Sequence, residues 1–218
     1  MTGATLLISS KNYSSWSLRG YLLARLAGLT FEEKFVDPDD PMNRKELLGQ
    51  SSSIRIPALM HRDVVVWDTL AIGEYLNETF PDAGMLPAEP HARARCRSIS
   101  GEMHSGFAAL REACPMNLKL YRPDFAIWSA VQADIDRITE IWRECLTTWE
   151  GPWLFGAKPS IADAMYAPVV TRFRTYNIKM EGMCERYCRR ILGWSHMQEW
   201  FAAAQKEPEQ IEELDIEF

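Results

Sequence analysis

Thr5-Leu6-Leu7-Ile8-Ser9-Ser10-Lys11-Asn12-Tyr13-Ser14-Ser15-Trp16-Ser17-Leu18-Arg19-Gly20-Tyr21-Leu22-Leu23-Ala24-Arg25-Leu26-Ala27-Gly28 sets the pattern for the first third of the chain. Thr5 to Ser9 reads as a short buried strand. Leu18, Leu22 and Leu26 then recur at four-residue spacing, one face of a helix running from about Ser15 to Ala27. Gly28 stands where a C-cap glycine ends such a helix. Between strand and helix lies a cluster of serine hydroxyls at the helix N-terminus. Serines are favoured N-caps, so one of them satisfies an otherwise orphaned amide. The same amides and hydroxyls can also converge on an anion, which the positive end of the helix dipole favours.

Working outward, Phe31 to Val36 alternates apolar and charged residues, as a strand with one buried face does, and Met42 to Leu48 reads as a short helix. Pro57-Ala58-Leu59-Met60 and Val64-Val65-Val66-Trp67 form two strands of an antiparallel hairpin across His61-Arg62-Asp63. Thr69, Ile72, Leu76 and Phe80 mark another helix. The order β-α-β-α-β-β-α is that of an α/β layer structure. Pro81 to Pro90 holds three prolines and a glycine and reads as a connection between domains. No convincing strand follows it. Ile127, Val131, Ile135, Ile138, Trp142 and Leu146 make a 3/4-spaced stripe over more than five turns, and the second part of the chain is expected to be all-helical. The acidic tail from Glu207 to Phe218 packs, on this reading, through Ile211, Leu214 and Ile216.

Composition excludes several classes. Among 218 residues, 24 basic and 30 acidic side chains leave a charge of −6, and residues 1–82 (8 basic, 11 acidic) and 83–218 (16 and 19) share it equally. Neither part is basic enough to point to a nucleic-acid partner. No apolar run reaches the roughly 18–20 residues that span a bilayer, and no secretory signal is expected, so no membrane partner follows. Five cysteines with no C-x-x-C fit reduced thiols in a cytoplasm better than a disulfide framework. Four scattered histidines lack metal-ligand spacing. G-x-G-x-x-G, the P-loop, G-x-S-x-G and H-E-x-x-H are absent, which argues against dinucleotide, nucleotide and metallohydrolase chemistry.

Three further segments carry a signal. In Ser53-Ile54-Arg55-Ile56-Pro57, a proline opening a strand takes an edge position or a cis bond. In Trp67-Asp68-Thr69-Leu70-Ala71-Ile72, Asp68 or Thr69 caps the next helix. Ser160 stands three residues before Asp163, a capping box with Asp in place of Glu.

Taken in order with the serine-rich segment, these resemble the glutathione S-transferase superfamily over essentially the whole chain. The resemblance implies a thioredoxin-like, glutathione-binding domain over residues 1–82, a linker over 83–90 and an all-helical substrate domain over 91–218. Ser14-Ser15-Trp16-Ser17-Leu18-Arg19 is most similar to the zeta-class segment S-S-C-S-W-R, with Trp16 replacing the cysteine. That match gives Ser14 the catalytic-serine position and Ser15 an adjoining amide and hydroxyl role. The spacing of other serine-type classes selects Ser15 instead, and Tyr13 leaves a tyrosine-type mechanism open. Arg19 assists if it turns toward the site and otherwise pairs structurally.

Pro57 matches the family's cis-proline, so that Ile56 offers its N–H and C=O to the cysteinyl part of glutathione like an added strand. Asp68-Thr69 falls on the Glu/Gln-Ser pair that holds the γ-glutamyl end; both residues are substituted, but a carboxylate and a hydroxyl survive. Ser160 to Asp163 matches the folding motif of the helical domain. The implied activity is a glutathione transferase, with glutathione as cosubstrate, a serine activating its thiol and a small electrophile as second substrate. A maleylacetoacetate-type isomerase, a dehalogenase and a non-catalytic ligand-binding protein are the variants. Met103, His104, Phe107, Arg111, Met116 and Trp128 are candidate pocket residues, most of them expected to be core, and Arg172 and Arg174 lie near the position of a zeta-class arginine for acidic substrates. The resembled family also implies a cytoplasmic homodimer in detoxification.

Overall fold

Leu6 and Ile8 point to one side of strand β1 (Ala4–Ile8) and Leu7 to the other, and both sides are covered. In this computed structural model, which describes residues 3–37, 40–51 and 53–208, β1 is the inner strand of a four-stranded sheet. It pairs in parallel with β2 (Phe31–Phe35) and antiparallel with β3 (Ala58–His61), which pairs antiparallel with β4 (Val64–Val66). The order β2-β1-β3-β4 makes β2 and β4 the edges. Parallel pairing of β1 with β2 requires a crossover, supplied by helix α1 (Ser15–Leu26). On the opposite face, Leu7, Val36, Ala58 and Leu47 of helix α2 (Pro41–Ser51) form a small separate core.

The expected element order holds, with local differences. β2 was expected to bury one face, yet Glu32 to Phe35 of this edge strand are all exposed: neither face is covered there. The hairpin turn is tighter than three residues: Arg62 takes φ +54°, and His61 belongs to β3. Gly28 adopts φ +71° just past α1, where its N–H bonds to Arg25 O and that of Leu29 to Ala24 O. Helix α3 (Thr69–Thr79) completes this layer, burying Ile72 and Leu76 toward α1.

Beyond the short turn Pro81–Ala83, the described residues form helices α4 (Pro90–Ser105), α5 (Ala108–Ala113), α6 (Ser129–Thr148), α7 (Ile161–Thr175), α8 (Gly182–Leu192) and α9 (Ser195–Ala204). The apolar stripe from Val131 to Leu146 is buried along α6, but Ile127 precedes the helix. α7 is buried along nearly its whole length, with α4 and α8 packed against it and α1 meeting it from the sheet side. The proposed anchors Ile211, Leu214 and Ile216 lie outside the described residues.

Two contacts hold this arrangement. The fully buried Asp163 carboxylate accepts hydrogen bonds from Ser160 N (2.7 Å), Ser160 Oγ (2.8 Å), Leu154 N (3.1 Å) and Tyr187 Oη (3.0 Å). It thereby ties the start of α7 to the preceding loop and to α8. Burial raises its carboxyl above the ordinary value, against the pull of these bonds. On the sheet side, a methyl group added at Gly20 would lie 2.7 and 2.8 Å from Cγ and Cβ of Pro57. Only glycine lets α1 approach the start of β3 this closely.

Asp163→Ala is expected to cost on the order of 3–5 kcal/mol, because buried donors are left unpaired; thermal or urea unfolding reads it. Gly20→Ala reverses the usual sign of its substitution. In an ordinary helix interior it gains about 0.5–1 kcal/mol, whereas here overpacking against Pro57 costs about 1–3 kcal/mol. A Gly20→Ala variant at least as stable as the parent would contradict the close approach.

Candidate active site

The β1–α1 loop is fastened before any ligand is considered. Glu207 accepts from Ser10 Oγ (2.7 Å), Lys11 N (2.8 Å) and Asn12 N (2.9 Å). The buried Asn12 accepts through Oδ1 from Leu118 N (2.8 Å) and Lys119 N (3.1 Å), and Trp200 Nε1 donates to Lys11 O (2.9 Å). Residues remote in sequence thus set where the loop delivers the chain to α1.

At that point Ser14 is the N-cap. Its Oγ accepts from Ser17 N (3.2 Å) and donates to Ser17 Oγ (2.9 Å), while Ser17 Oγ also accepts from Ser9 N (3.0 Å). Ser15 is buried as the first residue of α1, and Tyr13 is half-buried in the loop before it. A cleft of about 560 Å³ opens beside this helix end, between the sheet layer and the helices. Ile56, Pro57, Asp68 and Thr69 line it from the sheet side, together with Arg55 and Trp67; His104 and Arg111 line it from the helical side, and Trp16 from α1. Ser14 and Ser15 are not among its lining residues.

Local geometry explains this wall. The Ile56–Pro57 bond is cis, as the resemblance implied, and the Trp67–Asp68 bond is cis as well. Asp68, rather than Thr69, is the N-cap of α3: Oδ1 accepts from Leu70 N (2.9 Å) and Ala71 N (3.4 Å). Its other oxygen lies 3.2 Å from His104 Nε2, and His104 Nδ1 lies 3.4 Å from Thr69 Oγ1. Asp68 and Thr69 therefore meet the helical half through one imidazole.

Trp16, standing where the zeta pattern has cysteine, is a hub of cationic contacts. Its ring meets His104 edge-on at 5.0 Å, and the guanidinium carbons of Arg19 and Arg111 each lie 4.7 Å from its centroid. Arg19 is fully buried and takes the structural role: Nε donates to Met165 O (2.8 Å) and Nη1 to Ser15 O (3.5 Å), bridging α1 and α7. Its Nη2 is buried without a hydrogen-bond partner among the described residues. Burial first, then Arg172 and Arg111, push the Arg19 guanidinium down from its ordinary value.

Of the six candidate pocket residues, His104 and Arg111 line the cleft, and most of the rest are core as expected. Met103, Phe107 and Met116 are core, and Trp128 is exposed against Phe125. The buried Arg172 donates to Cys114 O (2.9 Å) and Pro168 O (3.0 Å), and Arg174 to Leu118 O (3.4 Å), so neither lines the cleft. The protein's own thiols are no substitute nucleophiles. Burial pushes Cys96, Cys145 and Cys188 up to about 12 and Cys114 to about 11, and raises Cys184 too. Arg55, Trp67 and Trp16 went unassigned in the sequence although all three sit inside the singled-out segments; the signal was their position beside Ile56, Asp68 and Ser15. No described helix is long and apolar enough to cross a membrane.

Comparison with known proteins agrees with this two-part layout. Residues 13–79 match the family model for the glutathione S-transferase N-terminal domain, and residues 90–203 match that for the C-terminal domain. A probable maleylacetoacetate isomerase of Caenorhabditis elegans is 27% identical over 168 residues, 77% of this chain and 78% of that one. Glutathione S-transferase 1 of Dianthus caryophyllus is 28% identical over 165 residues, 74% of each chain. Among solved structures, a glutathione transferase homologue from Burkholderia with bound glutathione superposes with TM-score 0.73 at 22% identity, covering 94% of this chain and all (100%) of that one. With both domain models matched in order, the chain belongs to the glutathione S-transferase superfamily.

Proposed function

We propose that this chain is a glutathione transferase that ionises the thiol of glutathione at the N-terminus of α1 for attack on a small electrophile. The observation that supports this reading is the single cleft wall formed by Ile56, Pro57, Asp68 and Thr69 next to that helix end. In this assignment Ile56 pairs its backbone with the cysteinyl unit, Pro57 shapes the turn, and Asp68 and Thr69 hold the γ-glutamyl ammonium and carboxylate. Ser15 contributes an amide and hydroxyl, and Ser14 donates to sulfur. A homodimer in the cytoplasm, acting in detoxification, is part of the same proposal.

The energetics constrain Ser14. A free thiol has a pKa of about 8.5, and lowering it by two units takes roughly 2.7 kcal/mol. The Ser14 hydroxyl can turn its proton from Ser17 Oγ to sulfur while its oxygen keeps the Ser17 N–H. That trades a neutral bond of about 1 kcal/mol for a charge-assisted one of about 1.5–3 kcal/mol. The helix terminus adds about 0.3–1 kcal/mol. The total, roughly 1–3 kcal/mol, reaches the requirement only at its upper end.

A second reading, glutathione-dependent cis–trans isomerisation of the maleylacetoacetate type, is favoured by the isomerase among the relatives. It uses the same thiolate, added to and then expelled from an activated double bond. A carrier without catalysis would bind glutathione and leave its thiol protonated.

Retention on immobilised glutathione is expected; passage without retention removes all three readings. Ser14→Asn keeps an N-cap but has no hydroxyl, and is expected to lower kcat/KM for conjugation about 2–30-fold, the loss of roughly 0.5–2 kcal/mol. If Ser15→Ala or Tyr13→Phe carries the loss instead, the donor is reassigned to that residue. Assays with a haloarene and with a cis-enedione separate transferase from isomerase.

A further inference from the structure

Three guanidinium groups stand together at the Trp16 side of the cleft, Arg111 on its wall and Arg19 and Arg172 behind it, and among the described residues no acid is paired with them. Arg19 and Arg111 share the Trp16 ring at 4.7 Å each, and Arg172 is buried within electrostatic reach of both. Among the described residues their hydrogen bonds all go to backbone carbonyls: Arg19 to Met165 and Ser15, Arg111 to His104 (3.1 Å), Arg172 to Cys114 and Pro168. Among the described residues no carboxylate pairs with any of the three. The acids nearby are engaged elsewhere, Asp68 with the α3 amides and His104, Asp134 with Leu110 N (2.9 Å), and Glu102 with Arg137 (2.8 Å).

Burial lowers all three; repulsion adds to it at Arg19, from Arg172 and Arg111, and at Arg172, which falls to about 10 through burial first and Arg111 next. They remain cations at neutral pH. Buried charge left uncompensated is costly, and the unpartnered Arg19 Nη2 marks the same imbalance. An anion arriving at the Trp16 side of the cleft relieves it.

We propose that this anion is the thiolate of bound glutathione, and that Arg111, backed by Arg19 and Arg172, stabilises it electrostatically alongside the α1 hydroxyl. The inference rests on the glutathione-transferase reading above. In the step concerned the S–H bond breaks, its electron pair stays on sulfur, and the proton leaves through the open cleft to water; nothing is oxidised and no bond to carbon forms. Arg55 and Arg111 on the walls, and Arg19 and Arg172 behind, favour the thiolate. Asp68 opposes it, damped by its two amide donors and by His104. A cation within about 4–6 Å lowers an acid by about 1–3 pH units, and the open mouth puts this case at the lower end.

The test is the ultraviolet absorbance of the thiolate of glutathione bound to the full chain, titrated from about pH 5 to 9. Arg111→Gln is expected to move the midpoint up by about one pH unit, and Arg111→Lys to keep it near the parent value. S-methylglutathione, which has no thiol proton to lose, is expected to bind parent and variants alike. Arg111→Met preserves the apolar stem over Trp16 and reads the same shift if Arg111→Gln disturbs packing. An unmoved midpoint in Arg111→Gln and Arg111→Met, or an equal rise in Arg111→Lys, overturns the proposal. If the parent binds neither glutathione nor S-methylglutathione, the glutathione-transferase reading itself falls.

Discussion

Helix α1 has almost no solvent face. Nine of its twelve residues are buried, from Ser15 through Ala24, and the sheet layer and the helical half both use it as a wall. A helix in that position must satisfy polar groups that water would otherwise solvate, and each way it does so fixes a part of the site. Its N-terminus is closed by Ser14; its buried guanidinium donates to α7; its one interior glycine lets Pro57 come within packing distance. The two halves of the molecule are thus referenced to one helix, and the cleft is the space left at its N-terminal end.

The cleft is electrically uneven as a result. One wall ends in the Asp68 carboxylate, suited to an ammonium group; the Trp16 side is backed by arginines. A ligand carrying both signs would meet a group of opposite charge on each side. The five cysteines, raised by burial, do not compete with an incoming thiol. Trp16 takes the place that the similar zeta segment gives to a cysteine, so the position serves here as an aromatic support for cations rather than as a second sulfur.

The legible parts were those written in local patterns. Leu18 and Leu22 announced the buried face of α1, Gly28 its end, and Ser160 with Asp163 the start of α7, because spacing and capping act within a few residues. For Ser14 the capping interpretation describes the observed bonds, and the catalytic assignment depends on redirecting one proton. The edge position of β2 was not legible, since alternation of apolar and charged residues does not say what lies above the strand. Nor was the arginine cluster. Arg19 meets Met165 across 146 positions, and Arg111 of α5 meets Trp16 of α1 only in the folded chain. Asp68 was seen as a cap, whereas its link to His104 required the folded chain.

The clamp on the β1–α1 loop has a consequence in the order of synthesis. Ser10, Lys11 and Asn12 are made well before the carboxylate that gathers them, which belongs to Glu207, 197 positions after Ser10. At roughly 5–20 residues per second, translation separates the loop from its keeper by about 10–40 seconds. The sheet layer can form early on the emerging chain, but the serine-bearing loop takes its final set only when the last described turn of the protein has arrived. The carboxylate that fastens this loop is one of the later groups to reach it.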